Sequence, residues 1–172
     1  SGENSSSTGA LRPSGGGTIS DIATTLATTD GGRDGSARGS VVARGLTLFE
    51  GRVSIGAIRM SARVDAGAAG RTVAVESASV EGLVVNGAAV SAGEGSRVPV
   101  AGIGTLVFFE RSDTATGVSL NGMRVEVTDP EARKVIGEPF VVGHLELQAS
   151  PGPEPATTTA PATTAPRTTA PG

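Results

Sequence analysis

Two short stretches constrain this chain more than anything else in it. Gly82-Leu83-Val84-Val85-Asn86-Gly87-Ala88-Ala89-Val90 returns as Gly117-Val118-Ser119-Leu120-Asn121-Gly122-Met123-Arg124-Val125. Asn-Gly between alternating apolar residues is a strong hairpin signal, because a type I′ turn needs positive φ at both central positions. A two-residue turn also fixes register. Val85 then faces Ala88 and Leu83 faces Val90; in the second copy Leu120 faces Met123 and Val118 faces Val125. Each copy gathers its apolar residues on one face. The spacing predicts tight turns at Asn86-Gly87 and Asn121-Gly122 and an all-β chain.

The flanking sequence extends that reading. Residues 1–17 are Ser, Gly and polar without periodicity and are expected to be disordered; Asn4-Ser5-Ser6 there matches a glycosylation acceptor. Residues 18–29, rich in Thr, favour an extended first strand. Asp30-Gly31-Gly32-Arg33-Asp34-Gly35 reads as a polar turn, since a calcium loop needs further oxygen ligands and a closing Glu. Leu46 and Leu48, the loop Phe49-Glu50-Gly51-Arg52, then Val53 and Ile55 form a longer-turned version of the same hairpin, with Leu48 opposite Val53 and Leu46 opposite Ile55. The apolar phase then moves from odd to even positions near Gly56, the mark of a β-bulge. Gly67-Ala68-Ala69-Gly70-Arg71-Thr72 lacks the spacing and Lys of a phosphate loop. Strands are expected on both sides of Gly102-Ile103-Gly104, and Thr105 to Phe109, apolar on both faces, is the expected central strand. Asp129-Pro130-Glu131 begins a turn. In the last strand, residues 140–149, Val141, Leu145 and Leu147 point one way and His144, Glu146 and Gln148 the other. Residues 151–172 form a Thr/Pro-rich stalk of polyproline character, a composition often O-glycosylated. Extended at about 3 Å per residue it would reach roughly 60 Å.

The expected architecture is a single antiparallel β-sandwich over residues 18–150, with disordered tails at 1–17 and 151–172. The alternative is a β-solenoid or roll that stacks the three motif copies, which recur at similar intervals.

Composition narrows the chemistry. With no Cys, Trp or Tyr, 4 Phe and 2 Met, the core is aliphatic, and disulfides, thiol nucleophiles and Cys-ligated zinc are excluded. With His144 as the single His, neither a His-based triad nor a multi-His metal site is expected, and no cofactor or metal site is expected. A net charge of −3, spread along the chain, argues against nucleic acid as a partner. The apolar runs are too short to span a bilayer. Of the 14 basic residues only Lys134 is a lysine, which with the Ala and Gly content suggests a high-GC bacterial source. With Ser at position 1 and no signal segment after it, the chain reads as mature or trimmed. Glu50, Glu76, Glu81, Glu110 and Glu126 lie on strands or near turns without a motif, so hydrolysis by a carboxylate pair is the competing enzymatic reading. Candidate contact residues are Phe49, exposed at a hairpin tip or folded back onto the core, and His144, on the same strand face as Glu146.

From about Gly39 to Ser150 the chain resembles the choice-of-anchor P domain of secreted actinobacterial surface proteins. The resemblance rests on Gly45 to Val53, Val80 to Val90, Val98 to Leu106 and Val118 to Val125, in that order. It implies an exported domain with a variable C-terminal sorting device and carries over no catalytic residues; no sorting signal follows the stalk here. The expected function is a non-enzymatic extracellular, cell-surface module for display, adhesion or envelope architecture. Its expected partners are other cell-envelope components or further copies of itself. A self-assembling subunit, built by edge-strand pairing, is the other non-enzymatic reading.

Overall fold

A computed structural model describes the backbone of residues 2–8, 17–30 and 34–150 and the side chains of 17–29 and 34–150. The Thr/Pro-rich stretch 151–172 lies outside the described residues. Among the described residues, eleven strands and one helix follow in the order β1 Gly2–Thr8, β2 Thr18–Asp30, β3 Gly35–Leu48, β4 Val53–Gly67, β5 Gly70–Glu81, β6 Val84–Val85, β7 Ala88–Ala89, β8 Arg97–Val100, β9 Gly104–Asp113, β10 Gly117–Val127, α1 Pro130–Ile136 and β11 Phe140–Gln148. They make two antiparallel sheets. Sheet A runs β1-β2-β3-β4, with β5 and the β6–β7 hairpin both against the far edge of β4; sheet B runs β11-β10-β9-β8. The two sheets share one apolar cluster, from Ile19 and Leu46 in sheet A to Phe108, Met123 and Leu145 in sheet B. This is the expected sandwich. The motif copies are dispersed over both sheets rather than stacked, so the solenoid is excluded.

Several local readings hold. Leu48 pairs with Val53 and Leu46 with Ile55. Val85 pairs with Ala88, the Val90 N–H donates to the Leu83 carbonyl at 3.0 Å, and Asn86 and Gly87 have φ of 50° and 80°: the primed turn that Asn-Gly favours. Strand β9 is interior to sheet B and buried from Leu106 to Phe109.

Asn121-Gly122 is not a turn. Strand β10 passes straight through it, with Asn121 opposite Glu110 on β9 and His144 on β11, and Met123 opposite Phe108 and Val142. The inward residues nevertheless change phase, from Val118 and Leu120 to Met123 and Val125. Both neighbours change with it. On β11, Leu145 and Leu147 are buried on one side of Gly143 and Val142 on the other; on β9, Phe108 and Phe109 are buried side by side. Gly143 and Phe109 lie opposite Gly122 and have φ of 73° and 51°. The pleat therefore reverses along one row, Phe109–Gly122–Gly143, without loss of register. This also exposes Val141, at 42%, which simple alternation had placed with Leu145.

Sheet A carries a matching row. The positions between the Arg44–Ala57 and Leu46–Ile55 pairs are Gly45 and Gly56; Ser20 lies beyond Gly45, and Gly82 packs against Gly56. Across the row the inward set changes from Val41 and Ala43 to Leu46 and Leu48 on β3, and from Ile55 to Ile58 and Met60 on β4. The phase change near Gly56 is thus present, but both strands reverse together and no extra residue is inserted. A bulge occurs further along, where Ser61 pairs with Ser77 but Ala62 with Val75, leaving Glu76 over.

Two further readings are corrected. Residues 1–17 show no periodicity and are expected to be disordered; residues 1 and 9–16 lie outside the described residues, but Gly2–Thr8 pairs antiparallel with β2, from Gly2 opposite Thr28 to Thr8 opposite Ile22. Main-chain pairing at a sheet edge needs no side-chain pattern, so periodicity is silent about it. Asp129-Pro130-Glu131 opens a helix. The Asp129 carboxylate accepts from the N–H groups of Glu131 and Ala132 at 2.9 Å, Pro130 occupies the first turn, and Gly137 ends it. The cap, the early proline and the closing glycine were all legible; the segment's short length hid them.

The two Asn-Gly sites predict different costs on substitution. At Gly87 an added Cβ meets nothing within 4 Å, so Gly87→Ala costs only the left-handed strain, about 1 kcal/mol. At Gly122 it meets the Val142 carbonyl at 2.9 Å and Ile58 Cγ2 at 3.2 Å. Gly122→Ala is expected to cost about 1–3 kcal/mol by crowding, and Ile58→Ala, which removes the crowded Cγ2, should cost less in that background than alone. Urea unfolding of the single and double variants measures both, and equal costs without coupling to Ile58 would contradict this placement.

Candidate functional site

The pleat reversal decides which polar side chains meet on the outer face of sheet B. It turns Glu110 and Asn121 outward on one side of the row and Arg124 outward on the other. Arg124 then grips Glu110 with two hydrogen bonds, Nε to Oε2 at 2.5 Å and Nη2 to Oε1 at 2.6 Å. The same Nη2 lies 2.8 Å from Glu126 Oε1, and Arg97 on β8 closes on the other oxygen of Glu126. At the far end, Asn121 Oδ1 accepts from His144 Nδ1 at 2.8 Å. The result is a continuous polar band across all four strands, Arg97, Glu126, Arg124, Glu110, Asn121 and His144.

The electrostatics of the band follow from its centre. Hydrogen bonds from Arg124 hold the Glu110 carboxyl below its ordinary value of 4.5, aided by the charges of Arg124 and Arg97 and by a hydrogen bond from Asn121, against partial burial that opposes the shift. The Arg124 guanidinium is shifted up, chiefly by its bonds to Glu110. A carboxylate held ionised in this way is a poor proton donor near neutral pH. Glu110 and Glu126 both lie against Arg124 as its counter-ions.

The other sequence candidates are scattered. Phe49 is 5% exposed; it folds back into the core and is not a surface contact. Glu50 is exposed on the same loop. Glu76 is bonded to Arg38 at 2.8 Å and Glu81 to Arg59 at 3.0 Å, both on the outer face of sheet A. His144 meets Asn121, while Glu146 accepts from the Gln148 amide at 2.7 Å. Asn86 shapes its turn and accepts from Arg52 Nε at 3.2 Å; Arg52 Nη2 also donates to the Ala101 carbonyl at 2.5 Å, tying a sheet A turn to the β8–β9 loop. Arg52, Arg97 and Arg124 escaped sequence reasoning because their partners are distant in the chain. Only Arg124 with Glu126, two apart on one strand face, gave a local signal.

Concave regions also lie among the described residues. A shallow groove of ≈ 510 Å³ on the outer face of sheet A is lined by Thr25, Ala27, Arg38, Gly39, Ser40 and Ser61. A second, of ≈ 350 Å³, lies beside the β4–β5 turn and includes Asp34, Asp65 and Arg63; Asp65 is bonded to Arg63 at 2.8 Å. The Gly67 to Thr72 stretch forms that turn, with Gly67 opposite Gly70. Among the described residues no three His, Cys, Asp or Glu side chains are grouped to hold a metal ion, and no helix is long and apolar enough to cross a membrane. No protein-family model matches the chain, and no curated protein or solved structure matches it.

The Glu110–Arg124 contact predicts a pH dependence. The folded carboxyl titrates below the unfolded one, so its contribution is complete above the ordinary Glu range and is lost as pH falls through that range to the lowered folded value. Arg124→Met should lower stability at pH 7 by about 1 kcal/mol, and the gap to the parent chain should close on acidification below about pH 4.5. NMR titration of the Glu110 carboxyl should show its pKa rising in the variant; an unmoved pKa would refute the assignment.

Proposed function

We propose that this chain is a non-enzymatic extracellular module of a bacterial cell surface, serving display, adhesion or envelope architecture, of the kind found in choice-of-anchor P domains. The observation that carries the reading is the pairing of strand carboxylates with arginines: Glu76, Glu81, Glu110 and Glu126 each have an Arg partner. That pattern suits a polar surface kept soluble and selective through fixed, mutually neutralised charges. The Thr/Pro-rich residues 151–172 support the same reading, since such a sequence holds a folded head away from its point of attachment. The partners proposed are other envelope components.

A secreted hydrolase using two carboxylates is the competing reading, and the groove holding Asp34 and Asp65 is what favours it. One experiment separates the two. The full chain is incubated with purified actinobacterial envelope fragments; co-sedimentation and release of soluble sugar or peptide are followed together. The expected result is salt-sensitive co-sedimentation without release. Release that is lost in Asp34→Asn or Asp65→Asn would overturn the proposal in favour of the hydrolase.

A further inference from the structure

The two sheets differ in width, and the difference leaves a shelf. Strand β11 is the outer strand of sheet B and lies over β3: Ser150 is beside Gly35, Leu145 and Leu147 converge over Gly39, and Gly143 packs on Val41. Sheet A continues past β3 as β2 and β1, whereas sheet B ends at β11. On the shelf, β2 turns Ile22, Thr24, Leu26 and Thr28 toward the side of sheet B, opposite the inward Ala43, Val41, Gly39 and Ala37 of β3. Leu26 reaches the same point over Gly39 as Leu145 and Leu147 and is still 38% exposed.

Among the described residues, the edge of β11 is also the least guarded. An edge strand presents unpaired N–H and C=O groups, and folded proteins blunt such edges by shortness, proline, bulges or charge. Strand β8 is four residues long and contains Pro99; β7 has two residues; β5 is interrupted at Glu76; β1 is Gly-Glu-Asn-Ser-Ser-Ser-Thr, with no apolar residue. From His144 to Gln148, β11 is regular and carries one charge, Glu146, whose bonded partner among the described residues is the neutral Gln148 amide.

We infer that β11 is a strand-addition site that takes an extended segment of a partner polypeptide, laid antiparallel or parallel along β11 and above β2. Such a strand satisfies the main-chain groups of β11 that no described residue pairs and covers Leu26 and Ile22 in one step. Its chemistry follows from the shelf: apolar side chains at alternate positions facing β2, and polar ones facing out with a Lys or Arg beside Glu146. A second copy of this chain does not fit in the same way. The shelf is two strands wide, about 10 Å at the usual spacing, and a copy pairing through its own β11 would bring the β3 beneath it into the space held by β2.

The probe is a capped nine-residue peptide alternating valine with lysine and threonine, titrated into the full 172-residue chain while amide hydrogen exchange is read along the backbone. Exchange is expected to slow at least tenfold at alternate amides between His144 and Gln148. N-methylating the peptide amides on its pairing edge should abolish the effect. Leu26→Lys should weaken binding at least tenfold, with circular dichroism confirming the fold, and Glu146→Lys should weaken it several-fold for this peptide while improving binding of one bearing glutamate in place of lysine. Protection on β5 or β1 instead of β11, affinity indifferent to both substitutions, or a β11-linked dimer in sedimentation that excludes the peptide would each overturn the proposal.

Discussion

The structure depends on a pleat that reverses in step. In a β-sheet, shifting one strand by one residue moves its whole apolar set to the other face. A reversal on a single strand would do the same to half of that strand and leave its cross-strand partners pointing the opposite way. The solution here is to reverse neighbouring strands at one level: β9, β10 and β11 at Phe109, Gly122 and Gly143 in sheet B, and β2, β3 and β4 at Ser20, Gly45 and Gly56 in sheet A, with Gly82 packed on Gly56. The rows lie near one another, with Gly122 against Ile58, two residues from Gly56. Left-handed backbone at Phe109 is costly for a residue with a side chain, about 1–2 kcal/mol. Burial offsets it, because the reversal lets Phe108 and Phe109 enter the core as neighbours with ring centroids 6.3 Å apart.

The same reversal shapes the surface. Without it Glu110 and Arg124 would lie on opposite faces of sheet B; with it they share a bidentate contact at the middle of a band that crosses four strands. The outer face of sheet B thereby carries a connected set of ion pairs and amide contacts. The shelf beside β11 is a consequence of a different inequality, the greater width of sheet A. It gives the molecule an edge where main-chain bonding and apolar contact are offered together.

Much of this was legible in the residues. The Leu48–Val53 and Val85–Ala88 pairings follow from local spacing alone, and the phase change near Gly56 is visible in the alternation. Asn121-Gly122 shows where local reasoning ends. A two-residue hairpin turn places Val118, Leu120, Met123 and Val125 on one face, and a pleat reversal in a continuous strand does the same. The apolar pattern cannot tell them apart. The difference is set by Phe109 and Gly143, far off in sequence, whose own reversals give Gly122 its place in a ladder. The polar band was hidden for the same reason: Glu110 with Arg124, and Asn121 with His144, are partners only once the strand order is known. For Phe49 the spacing left two places open, an exposed tip or the core, and the left-handed turn directs the ring into the core.

The central claim, a continuous β10 with a shared reversal, is tested most directly by backbone NMR contacts around Asn121-Gly122. The account predicts cross-strand contacts from Met123 to both Phe108 and Val142, together with Asn121 to both Glu110 and His144. Contacts of Leu120 with Met123 and of Val118 with Val125 across a turn, with Asn121 free of both neighbouring strands, would contradict it.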